Sequence, residues 1–344
     1  MTKFIFAFTY LLLAVSANFY AQTPRPTPLA FGTYRLEDVR MRDPNILVDE
    51  KTKTYYIVSS GYSPTSVGYG NSSIRVFTSK DLINWEGPRT VFQTPVDFWG
   101  ETKIIGIWAP EMHFYKGKYY LFATFNTDTN LPEQWRDWLP RVKRGTQILV
   151  SDSPLGPFKP FQNHATLPID MMTLDGTLWE EDGVPYIVFA HEWVQITDGT
   201  IEFVRLKDDL SETTGEPKRL FQGSDAPWAR KSSQWGCWVT DGPFLYKSKS
   251  GKLFMIWSSF STTGYTTGVA VSDSGKLAGP WKQRAEPLFS ADGGHGTIFR
   301  RFDGQLMLVL HSPNKNTEHA KLFEIEDTGE TLRIKAPFTA SKTE

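Results

Sequence analysis

Five times along this chain a short polar or kinked pair is followed by an apolar run, a tight turn and a second apolar run. The pairs are Asp43-Pro44, Ala109-Pro110, Asp175-Gly176, Asp241-Gly242 and His295-Gly296. Counted on the second residue of each, successive pairs lie 66, 66, 66 and 54 residues apart. A period of about sixty in a chain of short strands is too long for a solenoid coil and suits one four-stranded propeller blade with added loops. The spacing predicts an all-β fold, a single five-bladed β-propeller with four-stranded antiparallel blades around a central funnel.

The turns after each pair are written plainly: Asp49 to Thr54, Lys116-Gly117-Lys118, Glu181-Asp182-Gly183, Ser250-Gly251-Lys252 and Asp303-Gly304. Asp-Gly and Gly-Lys between apolar runs are hairpin chemistry, because glycine accepts the positive φ that a tight turn demands. Second strands are expected over Tyr55 to Ser59, Tyr119 to Thr124, Tyr186 to Ala190, Leu253 to Ser258 and Leu306 to Leu310, all rich in β-branched or other apolar residues. A third strand recurs at Ile74 to Ser79, Gln147 to Ser151, Ile201 to Leu206, Gly268 to Ser272 and Leu322 to Ile325. No linker or composition break divides the chain after its first residues, which predicts one domain over residues 22–344.

Residues 1–21 carry Lys3, the apolar stretch Phe4 to Val15 and small residues at Ser16, Ala17 and Ala21. This is the pattern of a secretory signal peptide, and Tyr10, Ser16 and Asn18 end the run too soon for a membrane span. An exported, periplasmic or secreted protein is expected. Cys237 is the only cysteine, so no intrachain disulfide forms. With 37 basic against 38 acidic residues the chain shows no electrostatic footprint for nucleic acid or an anionic membrane.

Meander connectivity brings the five pairs to one face. Asp43, the Trp108 to Glu111 segment, Asp175, Asp241 and His295 are expected around the funnel, rimmed by His191-Glu192-Trp193 and other ends of second strands. Three aspartates at equivalent places of blades one, three and four form a carboxylate cluster that no core requires, and buried like charges shift one another's pKa. Glycoside hydrolysis uses such a set, since one carboxylate must be ionised while another stays protonated.

The motifs Arg42-Asp43-Pro44-Asn45, Trp108-Ala109-Pro110-Glu111, Leu174-Asp175-Gly176-Thr177, Asp241-Gly242-Pro243 and Gly294-His295-Gly296, in this order and spacing, resemble glycoside hydrolase family 43. That family comprises five-bladed propellers acting mainly on arabinofuranosides and β-xylosides. The resemblance implies that Asp43 is the general base, that Asp175 orients the acid and raises its pKa, and that reaction proceeds with inversion, base and acid standing roughly 6.5–9.5 Å apart. It also implies a carbohydrate substrate bearing terminal α-L-arabinofuranosyl, β-D-xylosyl or β-D-galactofuranosyl groups, with no cofactor required. At the acid the chain departs from the family, having Asp241 where a glutamate is usual. Two candidates therefore stay open, Asp241 and Glu192. A non-catalytic carbohydrate-binding propeller that has lost its acid glutamate, and a retaining hydrolase with an Asp nucleophile, remain alternatives.

Sugar rings stack their C–H faces on aromatics. Trp108, Trp135, Trp138 and Trp193, with Glu111 and His295, are the candidate substrate-binding residues, and Trp99, Trp228, Trp235 and Trp238 also fall in segments expected at the funnel face. The stretch Asn126 to Gly145, the longest between a second and third strand, is expected to wall a subsite. His295 lacks a metal-ligand spacing of its own; the resemblance implies that it points to the propeller axis near water or a calcium ion. No Gly-x-Ser-x-Gly elbow, Walker loop or dinucleotide fingerprint is present.

Overall fold

The computed structural model describes residues 29–60, 73–101, 104–315 and 317–339. The signal peptide expected over residues 1–21 lies outside them. Five antiparallel sheets are arranged in a ring, a five-bladed β-propeller, each sheet built from consecutive strands. The innermost strands are Arg42–Asp49, Gly106–Tyr115, Thr173–Glu181, Asp241–Lys247 and Gly294–Arg300, and each touches the next around the ring. All five expected hairpins form, with second strands Thr54–Ser60, Lys118–Asn130, Val184–His191, Leu253–Ser261 and Leu306–Ser312.

Blade one differs from the four-stranded expectation. Gly32–Tyr34 pairs with its outer strand Trp85–Gln93 and makes a fifth strand, covering an edge that would otherwise present unpaired backbone groups. Blade two differs as well. Its second strand runs on to Asn130 and its third begins at Val142, so much of the stretch expected as a long loop is a projecting hairpin.

The core lies between blades. Side chains alternate across a strand, so each second strand feeds two interfaces. In Leu253–Ser261, Phe254 and Ile256 pack toward Leu308 and Leu310 of blade five, while Met255 and Trp257 pack toward Val188 and Ala190 of blade three. Five such clusters fill the five junctions. Trp99 and Trp228, expected at the funnel face, are buried in two of them, because Trp99 packs on Phe98 and Phe125 and Trp228 on Trp257.

No strand of the last blade is borrowed from the beginning of the described chain. Closure between blades five and one rests on the cluster holding Met41, Ile57, Phe299 and Met307, on Met41 N–H donating to Glu318 O at 3.0 Å, and on Thr297 Oγ1 donating to Pro44 O at 3.3 Å.

Candidate active site

Every innermost strand carries the same β-bulge. Arg42, Trp108, Leu174, Asp241 and Gly294 each pair with the end of a second strand, and the ladder resumes three residues later at Asn45, Glu111, Thr177, Phe244 and Thr297. The first bulged residue is left-handed in all five blades: Asp43 (φ 52°), Ala109 (41°), Asp175 (56°), Gly242 (53°) and His295 (51°). Non-glycine residues in this region cost roughly 1–2 kcal/mol each, and such strain gathers at functional sites.

This alignment corrects the expected equivalence of the three aspartates. Asp43 and Asp175 occupy the bulge, whereas Asp241 stands one residue earlier, level with Arg42, Trp108 and Leu174. The left-handed place in blade four belongs to Gly242. A Cβ there would lie 2.8 Å from the His295 ring, so both the backbone angle and the close approach require glycine.

The bulges are latched from the preceding blade. Asp43 N–H donates to His311 Nδ1 (3.2 Å), Asp175 N–H to Thr124 Oγ1 (2.9 Å) and His295 N–H to Ser258 Oγ (2.9 Å). The three acceptors sit at the same place on their own blades, opposite Gly294, Trp108 and Asp241. In blade three that place is Ala190, which has no acceptor, and Gly242 N–H donates instead to the Asp175 carboxylate, at 3.0 Å from Oδ2.

These residues surround a cavity of about 170 Å³ lined by Arg42, Asp43, Trp108, Leu174, Asp175, Glu192, Trp193, Asp241 and His295. His295 Nδ1 bridges two carboxylates, 3.3 Å from Asp43 Oδ1 and 3.8 Å from Asp175 Oδ2. Arg42 Nε lies 3.6 Å from Asp43 Oδ1. The Arg42 guanidinium also donates to Asn314 Oδ1 at 2.7 Å. With that oxygen turned toward an obligate donor, His311 Nε2, 3.2 Å away, must donate to it too, which leaves His311 Nδ1 free to accept Asp43 N–H.

Burial alone would raise the Asp43 pKa, but the charges of His295 and Arg42 outweigh it and hold the carboxyl far below the usual range. Asp175 goes the other way. Burial, joined by the like charges of Asp241 and Asp43, pushes it up to about 7 against the pull of His295. Asp241 is also raised by burial, although Tyr265 donates to its Oδ2 at 2.8 Å. His295 is raised: burial opposes its charge, and Asp43, Asp175 and Asp241 overcome it. One cavity thus holds an ionised carboxylate beside two carboxyl groups driven toward the neutral form.

Glu192 lines the cavity from just before the short helix Trp193–Ile196, paired with Arg144 Nη1. Burial raises its pKa while Arg144 lowers it, and the net direction is up. Arg144 also donates to Asn126 Oδ1 at 2.7 Å and lies 4.4 Å over the Trp108 ring. Glu192 and Trp193 are shared with a neighbouring trough of about 420 Å³, whose walls add Arg144, Asn126, Asp128, Asn130 and Trp235.

Trp135 and Trp138 line neither hollow. Trp138 braces the rim, its indole N–H donating to Val194 O at 2.7 Å and its ring edge-on to Trp193 at 6.4 Å. Trp135 is covered by Arg141 at 3.6 Å. Glu111, expected to bind substrate, is buried and lines neither hollow, being hydrogen-bonded to His113 Nε2 at 2.9 Å. Arg42, Arg144 and Tyr265 were not singled out by sequence reasoning. Arg42 carried a signal, being part of the first motif; Arg144 and Tyr265 lie in no motif and only folding brings them here.

The fit to a calcium ion is poor. Calcium takes six to eight oxygen ligands, whereas His295 offers nitrogen already engaged with two carboxylates. Among the described residues no group of three or more His, Cys, Asp or Glu side chains is arranged to hold a metal.

Several known proteins resemble this chain. An endo-arabinase from Bacteroides thetaiotaomicron superimposes with a TM-score of 0.73 at 40% identity, over 91% of this chain and 99% of that one. Alpha-L-arabinofuranosidase B of Pyricularia oryzae is 24% identical over 90% of this chain and 63% of its own length. An extracellular exo-alpha-(1->5)-L-arabinofuranosidase of Streptomyces avermitilis is 26% identical over 60% of this chain and 43% of its own. The chain therefore spans less than two thirds of these two curated relatives. The profile of glycosyl hydrolases family 43 matches residues 37–336, from the start of blade one to the last strand of blade five, and the chain belongs to that family.

Proposed function

We propose that the protein is an inverting glycoside hydrolase that releases terminal α-L-arabinofuranosyl groups from polysaccharide or oligosaccharide. The observation that carries this reading is the opposite displacement of neighbouring carboxyl groups in one cavity, Asp43 toward the ionised form and Asp241 and Asp175 toward the neutral one. Asp43 takes a proton from water as the water oxygen attacks the anomeric carbon. The bond from that carbon to the glycosidic oxygen breaks with its electron pair on the oxygen, which receives a proton from Asp241. Asp175 keeps the backbone beside the acid in place by accepting the Gly242 N–H. No cofactor enters these steps.

Between the two acid candidates we favour Asp241. A general acid must offer a proton to the substrate, and the Glu192 carboxylate faces the Arg144 guanidinium, an obligate donor that favours its ionised form. Glu192 and Arg144 then serve to bind hydroxyl groups between the cavity and the trough. A pentose fills the cavity and the rest of the substrate follows the trough across Trp193 and Trp235. Terminal release is supported by the names of the two arabinofuranosidases. Internal cleavage of an arabinan is a second reading, favoured by the endo-arabinase relative and by the trough that extends the cavity. Export under residues 1–21 completes the proposal, and the extracellular relative supports it.

The test is incubation of the mature protein with aryl α-L-arabinofuranoside, β-D-xyloside and β-D-galactofuranoside and with linear arabinan. Turnover of the arabinosides that falls about a thousandfold in Asp43→Asn, with single arabinose as first product and an inverted anomer by NMR, supports the reading. Oligosaccharides as first products turn it to internal cleavage. A retained anomer overturns the mechanism, and silence across the panel with sugar binding intact overturns catalysis.

A further inference from the structure

The shortened acid is gripped by a residue from another strand. Tyr265, near the start of Gly264–Ser272, places its hydroxyl 2.8 Å from Asp241 Oδ2, and this is the hydroxyl's only acceptor among the described residues. Its ring is fully buried and lies 5.6 Å from the His311 ring at an interplanar angle of 14°. A Cβ on Gly294 would stand 2.7 Å from that ring, so the first glycine of Gly294-His295-Gly296 opens the space it fills. The backbone on either side is tied down, Tyr265 N–H donating to Asp292 Oδ1 at 3.3 Å and Gly293 N–H to Tyr265 O at 2.8 Å. A side chain held at ring, hydroxyl and backbone has one orientation to offer.

We propose that Tyr265 is a positioning residue that commits Asp241 Oδ2 to accepting a hydrogen bond and so places the transferable proton on Oδ1; this rests on Asp241 being the general acid. A buried phenol with one acceptor in reach must donate to it or go unsatisfied. With Oδ2 so occupied, the neutral acid carries its proton on the other oxygen. The hydroxyl stays protonated across the working range, since burial and the neighbouring Asp241 push the Tyr265 pKa well above its ordinary value. An aspartate reaches one methylene less far than the glutamate usual in the family, so a fixed choice of oxygen and rotamer matters more here. Tyr265 also joins the two sides of the reaction. The ring bonded to the acid stacks on the imidazole that accepts the N–H of Asp43.

The test is Tyr265→Phe, which removes one oxygen from a filled site, assayed with aryl arabinofuranosides of good and poor leaving ability. The donor favours the carboxylate form, so its loss raises the pKa of the acid. Activity that requires the protonated acid is lost as pH rises through that pKa, so the alkaline limb of kcat/KM should move up by about one pH unit. Over the same range kcat for the poor leaving group should fall roughly tenfold to a hundredfold, KM should hardly change, and the good leaving group should lose much less. A fluorinated tyrosine at position 265, a stronger donor of the same shape, should move the limb down.

An alkaline limb that stays in place in both proteins, or equal losses for both leaving groups, would assign Tyr265 a merely structural role and overturn the proposal. Asp241→Asn separates the two failures. Full activity of that variant on the poor leaving group would remove Asp241 as acid and the proposal with it, whereas an inactive Asp241→Asn beside an unmoved limb would overturn Tyr265 alone.

Discussion

Asp175 Oδ2 accepts the N–H of Gly242 at 3.0 Å, so a carboxylate on blade three is fastened to the backbone that carries Asp241 on blade four. The bond survives replacement of Asp175 by asparagine, whose amide oxygen can take the same place, while the charge does not. Asp175 in the folded protein is pushed up to about 7 by burial and its acidic neighbours, against about 4 when unfolded. A group raised in this way contributes stability below its unfolded pKa and loses it as pH rises through the folded value. Asp175→Asn removes that loss. Between pH 5 and pH 8 its Tm should therefore climb relative to the parent, with a relative gain on the order of a few kcal/mol; thermal melts at the two pH values check this.

The acid can be identified by leaving-group dependence. Asp241→Asn should cut kcat/KM roughly a hundredfold to ten-thousandfold for a poor leaving group and far less for a nitrophenyl group, which departs without protonation. Glu192→Gln should weaken substrate binding, raising KM, and leave the alkaline limb where it was. If Glu192→Gln instead shows the leaving-group dependence, the roles are reversed.

Gly242→Ala should be severe for a substitution of one methyl group. It sets a Cβ at φ 53° and 2.8 Å from the His295 ring, which is itself wedged between Asp43 and Asp175. A loss of about 2–3 kcal/mol in stability follows from the strained backbone and the displaced ring together. Chemical denaturation measures the first effect, and the loss of kcat at a temperature where the variant is folded measures the second.

The trough has a separate signature. Trp235 and Trp193 stack at 6.3 Å, and Trp235 is 38% exposed. Trp235→Ala should lower kcat/KM for an arabino-oligosaccharide about tenfold more than for an aryl arabinofuranoside, which has no second sugar to lay across the ring. Equal effects on both substrates would mean that the leaving-group side of the substrate runs elsewhere.

The strands were legible because turn chemistry is local. Asp182-Gly183 and Ser250-Gly251-Lys252 specify hairpins wherever they occur, and a repeat of such hairpins specifies blades. The bulge was half legible. Asp43 and Asp175 were recognised by spacing, but an interval of 66 residues assigned the fourth position to Asp241, one place early, since backbone handedness is not visible in a count. Arg144 and Tyr265 were invisible for another reason. Each reaches a residue of the cavity wall from the third strand of a blade, and whether such a side chain turns inward depends on what stands beside it: the space left by Gly294 of the next blade for Tyr265, the Trp108 ring of its own blade for Arg144. Trp99 and Trp228 failed in the opposite sense, as rings expected at the mouth found better-packed places between the sheets.

The latched bulges bear on how the ring behaves as a machine. Every blade contributes to the cavity wall, and the latches on Asp43, Asp175, Gly242 and His295 run from one blade to the next, so the centre of the molecule is a hub at which five wedges meet. Among the described residues no strand is shared across the junction of blades five and one, yet His311 of the last wedge holds the N–H of Asp43 on the first. A sugar that touches Asp43, Asp241 and His295 together would act as a pin through that hub. Because binding to the folded state alone stabilises it by mass action, the seam should open less often when the pin is in place, and protection of the backbone amides along Arg42–Asp49 and Gly294–Arg300 from hydrogen exchange would report the sugar at a distance from the bond being cut.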